Sequence, residues 1–148
     1  ISTIKHNRSS GPLTSALELV GDKWSLRISR ALLLGKKTFT EFLKSPEKSA
    51  TKILSNRLEL LINNGLLKVT KLPNDQKTKI YYLTDAGIEM YPIIYEMMQW
   101  SKNNLKKKFG PIGEQWFKDI EGLQPKSIIS NTTTTYKKSR KAILSQMV

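Results

Sequence analysis

An amphipathic helix followed directly by two short strands is the feature that most constrains the fold of this chain. Between about residues 50 and 64, apolar side chains recur at helical spacing and form one stripe: Ile53, Leu54, Leu58, Leu61 and Ile62. Asn64 and Gly65 end this helix, and Leu66–Leu72 and Lys79–Leu83 then read as strands on either side of the polar turn PNDQKT. The two strands therefore predict a β-hairpin.

Three shorter helices are predicted before this unit and one long helix after it. The first begins at Pro12, the second is capped by Asp22, and the third follows an N-cap at Thr38. The long helix runs from about residue 84 to residue 107 and is interrupted by Pro92. This order of elements is that of a winged helix-turn-helix, so we predict a mostly α fold with a small β-hairpin wing and terminal dimerisation helices.

The chain divides by composition into three segments. Residues 1–11 are polar and predict a flexible N-terminal arm, and residues 12–108 predict the winged-helix domain with its dimerisation helix. Residues 109–148 contain several glycines and prolines, basic residues and four consecutive threonines. We predict that this C-terminal extension is basic and partly mobile, with a short helix near Ser139–Met147.

The charge of the chain indicates a polyanionic partner. There are 25 basic and 12 acidic residues, a formal net charge of +13. DNA, an anionic membrane surface, an acidic protein and a lysine-rich proteome are all compatible with that charge alone. Between residues 36 and 79, however, there are ten basic and four acidic residues. This excess falls on the predicted recognition helix and hairpin, and favours double-stranded DNA.

Several other classes of protein are disfavoured by the sequence. No run approaches the ~18 apolar residues of a membrane span, and no apolar segment marks a secretory signal near residue 1, so a cytoplasmic location is predicted. Neither a metal-ligand cluster nor a glycine-rich phosphate loop is present, and the single histidine, His6, lies in the arm. We therefore predict no enzymatic activity and no cofactor.

Short motifs at consistent spacing run through the first two thirds of the chain. They are Pro12, the turn Gly21-Asp22-Lys23-Trp24, Leu34-Gly35, Phe39 with Glu41, the run Ile53–Leu58, Asn64-Gly65-Leu66, Tyr82-Leu83-Thr84, Gly87, Pro92 and Trp100. Together they make residues 11–103 resemble the HxlR-type helix-turn-helix regulators, a winged-helix family related to the MarR type. The resemblance implies a prokaryotic, homodimeric DNA-binding transcriptional regulator whose dimer is built from the first and last helices.

The chain departs from that resemblance at one informative position. Many members of the family carry a cysteine just before the proline, and some use it to sense oxidants or electrophiles. Gly11 stands there in this chain, and the sequence contains no cysteine. A thiol-based switch is therefore not expected.

The predicted DNA-contacting residues come from three places in the sequence. The first half of the recognition helix offers donors to base edges, the hairpin lysines suit phosphates, and a helix N-terminus follows Lys37. The residues are Lys37, Thr38, Thr51, Lys52, Ser55, Asn56, Arg57, Lys71, Lys77 and Lys79. Each group has an alternative interpretation: Thr38 as a simple cap, Arg57 in an intrahelical salt bridge, and the hairpin lysines as protection of an edge strand.

The long helix after the hairpin is apolar on more than one face, which predicts a dimer interface. The predicted dimerisation residues are Leu13, Leu17, Met90, Ile94, Met97 and Met98. The alternative is a core helix buried under the C-terminal extension. For function, the sequence predicts a homodimeric regulator that binds a pseudo-palindromic operator, and the alternative is a winged-helix interaction module for an acidic protein. A small-molecule effector is compatible with both, although the sequence identifies no site for one.

Overall fold

The computed structural model describes residues 11–43 and 48–147. Residues 1–10 of the predicted arm, including His6, lie outside this part. Eight helices and a two-stranded sheet are formed by the described residues: α1 (Pro12–Val20), α2 (Ser25–Leu33), α3 (Phe39–Phe42), α4 (Lys48–Asn63), β1 (Leu67–Leu72), β2 (Asp75–Leu83), α5 (Asp85–Ile88), α6 (Tyr91–Asn104), α7 (Pro111–Asp119) and α8 (Pro125–Ser145). The predicted fold class, mostly α with one β-hairpin, is confirmed.

The core lies between α2, α4, the hairpin and α6. Three residues of the predicted stripe of α4, Leu54, Leu58 and Leu61, are at most 2 % exposed, whereas Ile62 is half-buried and Ile53 is 43 % exposed, so the prediction is wrong for Ile53. Leu32 of α2 and Leu83 of β2 are equally buried against the three leucines. Burying these side chains is the main favourable contribution to folding.

Local interactions fix where α2 begins and where α4 ends. The Asp22 carboxylate accepts hydrogen bonds from the backbone N–H groups of Trp24, at 2.8 Å, and Ser25, at 3.0 Å. It therefore satisfies amides at the start of α2, as predicted. At the end of α4, Gly65 adopts φ +77°, a conformation that glycine takes without a steric cost.

The hairpin is antiparallel, with Leu67 opposite Leu83 and Thr70 opposite Ile80. The register shifts between Thr70 and Leu72, where the pairing is irregular. The second strand begins at Asp75, four residues before the predicted start at Lys79. The turn between the two strands is therefore shorter than the polar segment PNDQKT predicted.

The prediction of one long helix interrupted at Pro92 is wrong, since two separate helices occupy that segment and the break precedes Pro92. The short α5 ends at Ile88, and Pro92 lies in the first turn of α6. Proline is favoured at that place because it has no N–H to donate and its φ is already helical. Gly87 holds α5 close to the hairpin, since a Cβ there would lie 2.2 Å from the Leu66 carbonyl oxygen.

The C-terminal segment also differs from the prediction of one short helix near residues 139–147. It contains α7 and the 21-residue α8. Ile128 and Tyr136 of α8 are each 4 % exposed and belong to the core cluster. The threonine run lies inside α8 because these two side chains pack α8 against α2 and α6. Among the described residues, no helix has both the length and the hydropathy to cross a membrane.

Candidate nucleic-acid interface

One face of α4 is anchored in the core, and the opposite face is polar and exposed. Leu54 and Leu58 point inward, whereas Lys52, Ser55 and Asn56 are exposed. The helical period places these three polar residues together on the outward side. Their side chains supply an ammonium, a hydroxyl and an amide, which are groups that pair with base edges in a major groove. Thr51 is half-buried one turn before Ser55.

Arg57 lies at the border of this exposed face and has a partner on another element. Its guanidinium is 3.8 Å from the Asp22 carboxylate, and the two side chains are 32 % and 25 % exposed. The contact joins α4 to the start of α2, so the ion pair is interhelical rather than intrahelical. Contact between Arg57 and DNA stays a prediction.

A groove of about 320 Å³ separates α4 from the hairpin. Ser55 and Glu59 form one wall, and Val69, Lys79 and Tyr81 form the other. The structure therefore brings Lys79 of β2 beside the polar face of α4, although 24 positions separate Lys79 from Ser55 in the sequence. A rod-like polyanion lying against α4 would meet this lysine at the same time.

The other two hairpin lysines of the predicted DNA-contacting set, Lys71 and Lys77, are exposed near the turn. The Asp75 carboxylate is engaged locally, because it accepts hydrogen bonds from the N–H groups of Lys77 and Thr78, each at 3.2 Å. Hydrogen bonds from the Thr78 hydroxyl and then from its backbone lower the pKa of Asp75. Within the described residues neither lysine takes part in a salt bridge. Both charges are therefore available to a phosphate.

The structure supports the capping interpretation of Thr38. Its hydroxyl accepts from the Glu41 N–H, and the Glu41 carboxylate accepts from the N–H groups of Lys37 and Thr38 at 3.0 and 3.1 Å. The Lys37 backbone hydrogen bond is the main cause that lowers the pKa of Glu41. The capping box therefore occupies the N–H groups of Lys37, Thr38 and Glu41, and contact between Thr38 and a phosphate stays a prediction. The Lys37 side chain is exposed, and its carbonyl accepts from the Tyr81 N–H at 2.8 Å.

The predicted dimerisation residues fall into two groups. Leu13, Leu17 and Met97 are 72 %, 54 % and 54 % exposed. Met90 and Met98 are half-buried against the core, and Ile94, at 4 % exposed, packs inside the core of its own chain. Ile94 is therefore unavailable to a partner surface. Two further exposed apolar side chains of α6, Ile93 and Trp100, adjoin Met97 in the helical period.

Sequence reasoning missed the two residues of α8 that contact the hairpin. The Tyr136 hydroxyl accepts from the Leu83 N–H at 2.8 Å, and Arg140 donates to the Leu83 carbonyl at 2.9 Å. Arg140 also forms a 2.8 Å ion pair with Asp85. These contacts join positions more than 50 residues apart, and no local pattern in the sequence indicates them.

Comparison with known proteins places this architecture among transcription regulators. The sequence profile of the HxlR-like helix-turn-helix family matches residues 19–109. An uncharacterized HTH-type transcriptional regulator of Mycobacterium tuberculosis, Rv3095, is 31 % identical over 114 residues, which are 75 % of this chain and 70 % of that protein. The HTH-type transcriptional regulator YodB of Bacillus subtilis is 30 % identical over 89 residues, which are 60 % of this chain and 80 % of YodB.

Solved structures agree with the sequence comparisons. The crystal structure of PA1607, described as a candidate transcription factor, superposes with a TM-score of 0.60 at 31 % identity, and the match covers 72 % of this chain and 71 % of PA1607. The reduced form of YodB superposes with a TM-score of 0.55 at 27 % identity, and the match covers 68 % of this chain and 100 % of YodB. The family and these relatives are transcriptional regulators and not enzymes.

Proposed function

The chain belongs to the HxlR-like helix-turn-helix family of transcriptional regulators, and we propose that it acts as a homodimer on a pseudo-palindromic DNA operator in the cytoplasm. The observation that carries this proposal is the polar face of α4 beside a hairpin that bears lysines. Lys52, Ser55 and Asn56 are exposed on α4, and Lys79 lines the adjoining groove. In this arrangement α4 reads bases in the major groove, and Lys71, Lys77 and Lys79 hold phosphates.

The apolar surface on α1 and α6 supports the homodimer. Leu13, Leu17, Met97 and Trp100 are all more than half exposed. Exposed apolar groups of this size favour burial against a second copy of the chain. A two-fold dimer would present two α4 helices, and a spacing of roughly 34 Å between them matches one turn of DNA. Such a dimer reads inverted half-sites, which is the reason for proposing a pseudo-palindrome.

Selection from random duplexes at a stated salt concentration tests the DNA-binding part. We expect enriched sequences with two inverted half-sites, and a linear fall of log affinity with log salt. Asn56→Ala removes a side chain suited to adenine and should reduce discrimination at one base pair per half-site by about 1–3 kcal/mol. Asn63→Ala, at the other end of the same helix, is the matched control. Absence of salt-dependent binding to every duplex contradicts the proposal.

Sedimentation equilibrium tests the dimer. Introducing Leu17→Asp together with Met97→Asp places charges on the proposed interface and should yield monomers. Ile112→Asp changes a residue of α7 that is 70 % exposed and lies outside this interface, so it should leave the dimer intact. A native chain that is monomeric at micromolar concentration contradicts the homodimer.

A further inference from the structure

The helix α8, which lies outside the segment matched by the family, carries an unusual concentration of positive charge. Its 21 residues include five basic side chains and no acidic one. We propose that α8 is a second DNA-contacting element, which binds the phosphate backbone beyond the hairpin and so extends the operator footprint. The inference rests on the proposed DNA-binding function and adds a contact region to it.

The position of α8 relative to the hairpin is fixed by specific contacts. Tyr136 and Arg140 bind the N–H and carbonyl groups of Leu83 at the base of β2. About three helical turns beyond Tyr136, Met147 reaches the middle of the hairpin, where its sulfur lies 3.9 Å from the Thr70 hydroxyl of β1. The C-terminal half of α8 therefore runs from Leu83 at the base of the hairpin toward the middle of β1.

The C-terminal half of α8 also adjoins the segment before α3. Ser139 of α8 and Gln146, which follows the helix, line one groove of about 250 Å³ together with Lys36 and Lys37. Lys37 belongs to the predicted DNA-contacting set. Lys36 and Lys37 thus lie across this groove from the C-terminal half of α8, and the residues that line the groove include no acid.

The basic residues of α8 divide into one that docks the helix and others that face outward. Arg140 is engaged with Leu83 and Asp85. Lys137, Lys138 and Lys141 are exposed, and none of the three is in a salt bridge within the part of the chain that the structure describes. Lys137 is close enough to Asp85 for its charge to contribute to the lowered pKa of that carboxyl, after the larger effect of Arg140. Lys138 and Lys141 are therefore the clearest free cations.

The chemistry of the exposed face favours nucleic acid over a membrane surface. A helix that lies on a membrane needs an apolar face to insert. In α8 the apolar side chains Ile128 and Tyr136 are instead buried in the core, and Leu144, at 36 % exposed, is the one large apolar side chain of this helix that is exposed. Asn131 and Thr134 are exposed on the same outward side as Lys138 and add polar groups that can bond to phosphate oxygens.

Two duplexes and two variants test the inference. The short duplex contains only the selected half-sites, and the long duplex adds about one helical turn, roughly 10 base pairs, on each side. The double variant Lys138→Gln, Lys141→Gln removes charge from the C-terminal half of α8. The control Lys126→Gln removes charge from the first turn of the same helix, away from the hairpin.

We expect the native chain to show a steeper log–log salt dependence on the long duplex than on the short one. Each phosphate contact contributes about 0.9 to that slope, so the double variant should flatten it by up to roughly 4 per dimer on the long duplex only. In the double variant, the flanking DNA backbone should also lose its protection from hydroxyl radicals. The Lys126→Gln control should change neither measurement.

The outcomes separate this inference from the proposed function. If the native chain binds both duplexes with the same slope and protects no flanking backbone, the role of α8 is overturned while operator binding stands. An equal reduction by Lys126→Gln and by the double variant also overturns it, because the effect would then be general charge. If the native chain binds neither duplex, the proposed function fails and the inference fails with it.

Discussion

Replacing Tyr136 with phenylalanine removes a single oxygen atom at the contact between α8 and the hairpin. That oxygen accepts the Leu83 N–H at 2.8 Å. Tyr136 is 4 % exposed and Leu83 is fully buried, so water cannot replace the lost acceptor without opening the contact. The aromatic ring and its packing are retained in the variant, which isolates the hydrogen bond from the burial of the side chain.

Tyr136→Phe destabilises the fold because the Leu83 N–H is left without an acceptor. A buried donor without an acceptor destabilises a protein by about 1–3 kcal/mol. With a urea slope of about 2 kcal/mol per M, the unfolding midpoint should fall by roughly 0.5–1.5 M, and the slope itself should not change. Tyr136→Ala also leaves a cavity and should cost about 3–5 kcal/mol.

Urea unfolding at pH 7 and at one fixed protomer concentration measures this difference, since an oligomer gains stability with concentration. Burial raises the pKa of Tyr136 above its ordinary value of 10.0, so the hydroxyl is neutral in the folded and the unfolded chain at pH 7. Tyr82→Phe is the control, because Tyr82 is half-buried and its hydroxyl makes no hydrogen bond among the described residues. A Tyr136→Phe midpoint within the spread of this control would refute the docking of α8 on Leu83.

Three smaller changes test other contacts. Thr38→Ala removes the cap of α3 and should cost about 1 kcal/mol in urea unfolding, without changing the salt slope of DNA binding if Thr38 is only a cap. Gly87→Ala places a methyl group 2.2 Å from the Leu66 carbonyl oxygen, and overpacking of this kind should cost about 1–3 kcal/mol in the same assay. Arg140 lowers the pKa of Asp85 below 3.8, so the pair stabilises the fold above pH 3.8 and loses that effect as the pH falls further. Asp85→Asn should remove this part of the acid dependence, which develops as the pH falls below 3.8, and an unchanged acid profile would contradict the pairing.

The part of the fold that could be predicted from the sequence is the part specified by neighbouring residues. The apolar stripe of α4 fixes which side of that helix faces the core, and Asp22 and Thr38 mark helix starts through bonds to residues two or three positions away. Local periodicity and capping chemistry carry this information in the sequence itself. The polar face of α4 could be predicted for the same reason, because Ser55 and Asn56 lie opposite the apolar stripe.

What could not be predicted depends on contacts between distant segments. Threonine is a poor helix former, so the run from 132 to 135 gives little indication of a 21-residue helix. The helix is held by Ile128 and Tyr136 in the core, and that packing is invisible to a local pattern. In α6, apolar residues occur on several faces, so the periodicity alone cannot show that Ile94 turns inward and Met97 outward.

The helix α8 makes a second connection between two parts of the proposed mechanism, the dimer surface on α6 and the hairpin. α8 packs against α6, which carries part of the proposed dimer surface, and it binds Leu83 at the base of the hairpin. A displacement of α6 in a dimer would therefore reach the hairpin lysines through α8 as well as through the core. It follows that releasing α8 with Arg140→Gln should weaken DNA binding by moving the hairpin, even though the substitution also removes a charge. Neutralising Lys138 and Lys141 should instead leave the hairpin in place. Hydrogen exchange at the Leu83 amide distinguishes the two, because only the first substitution should accelerate it.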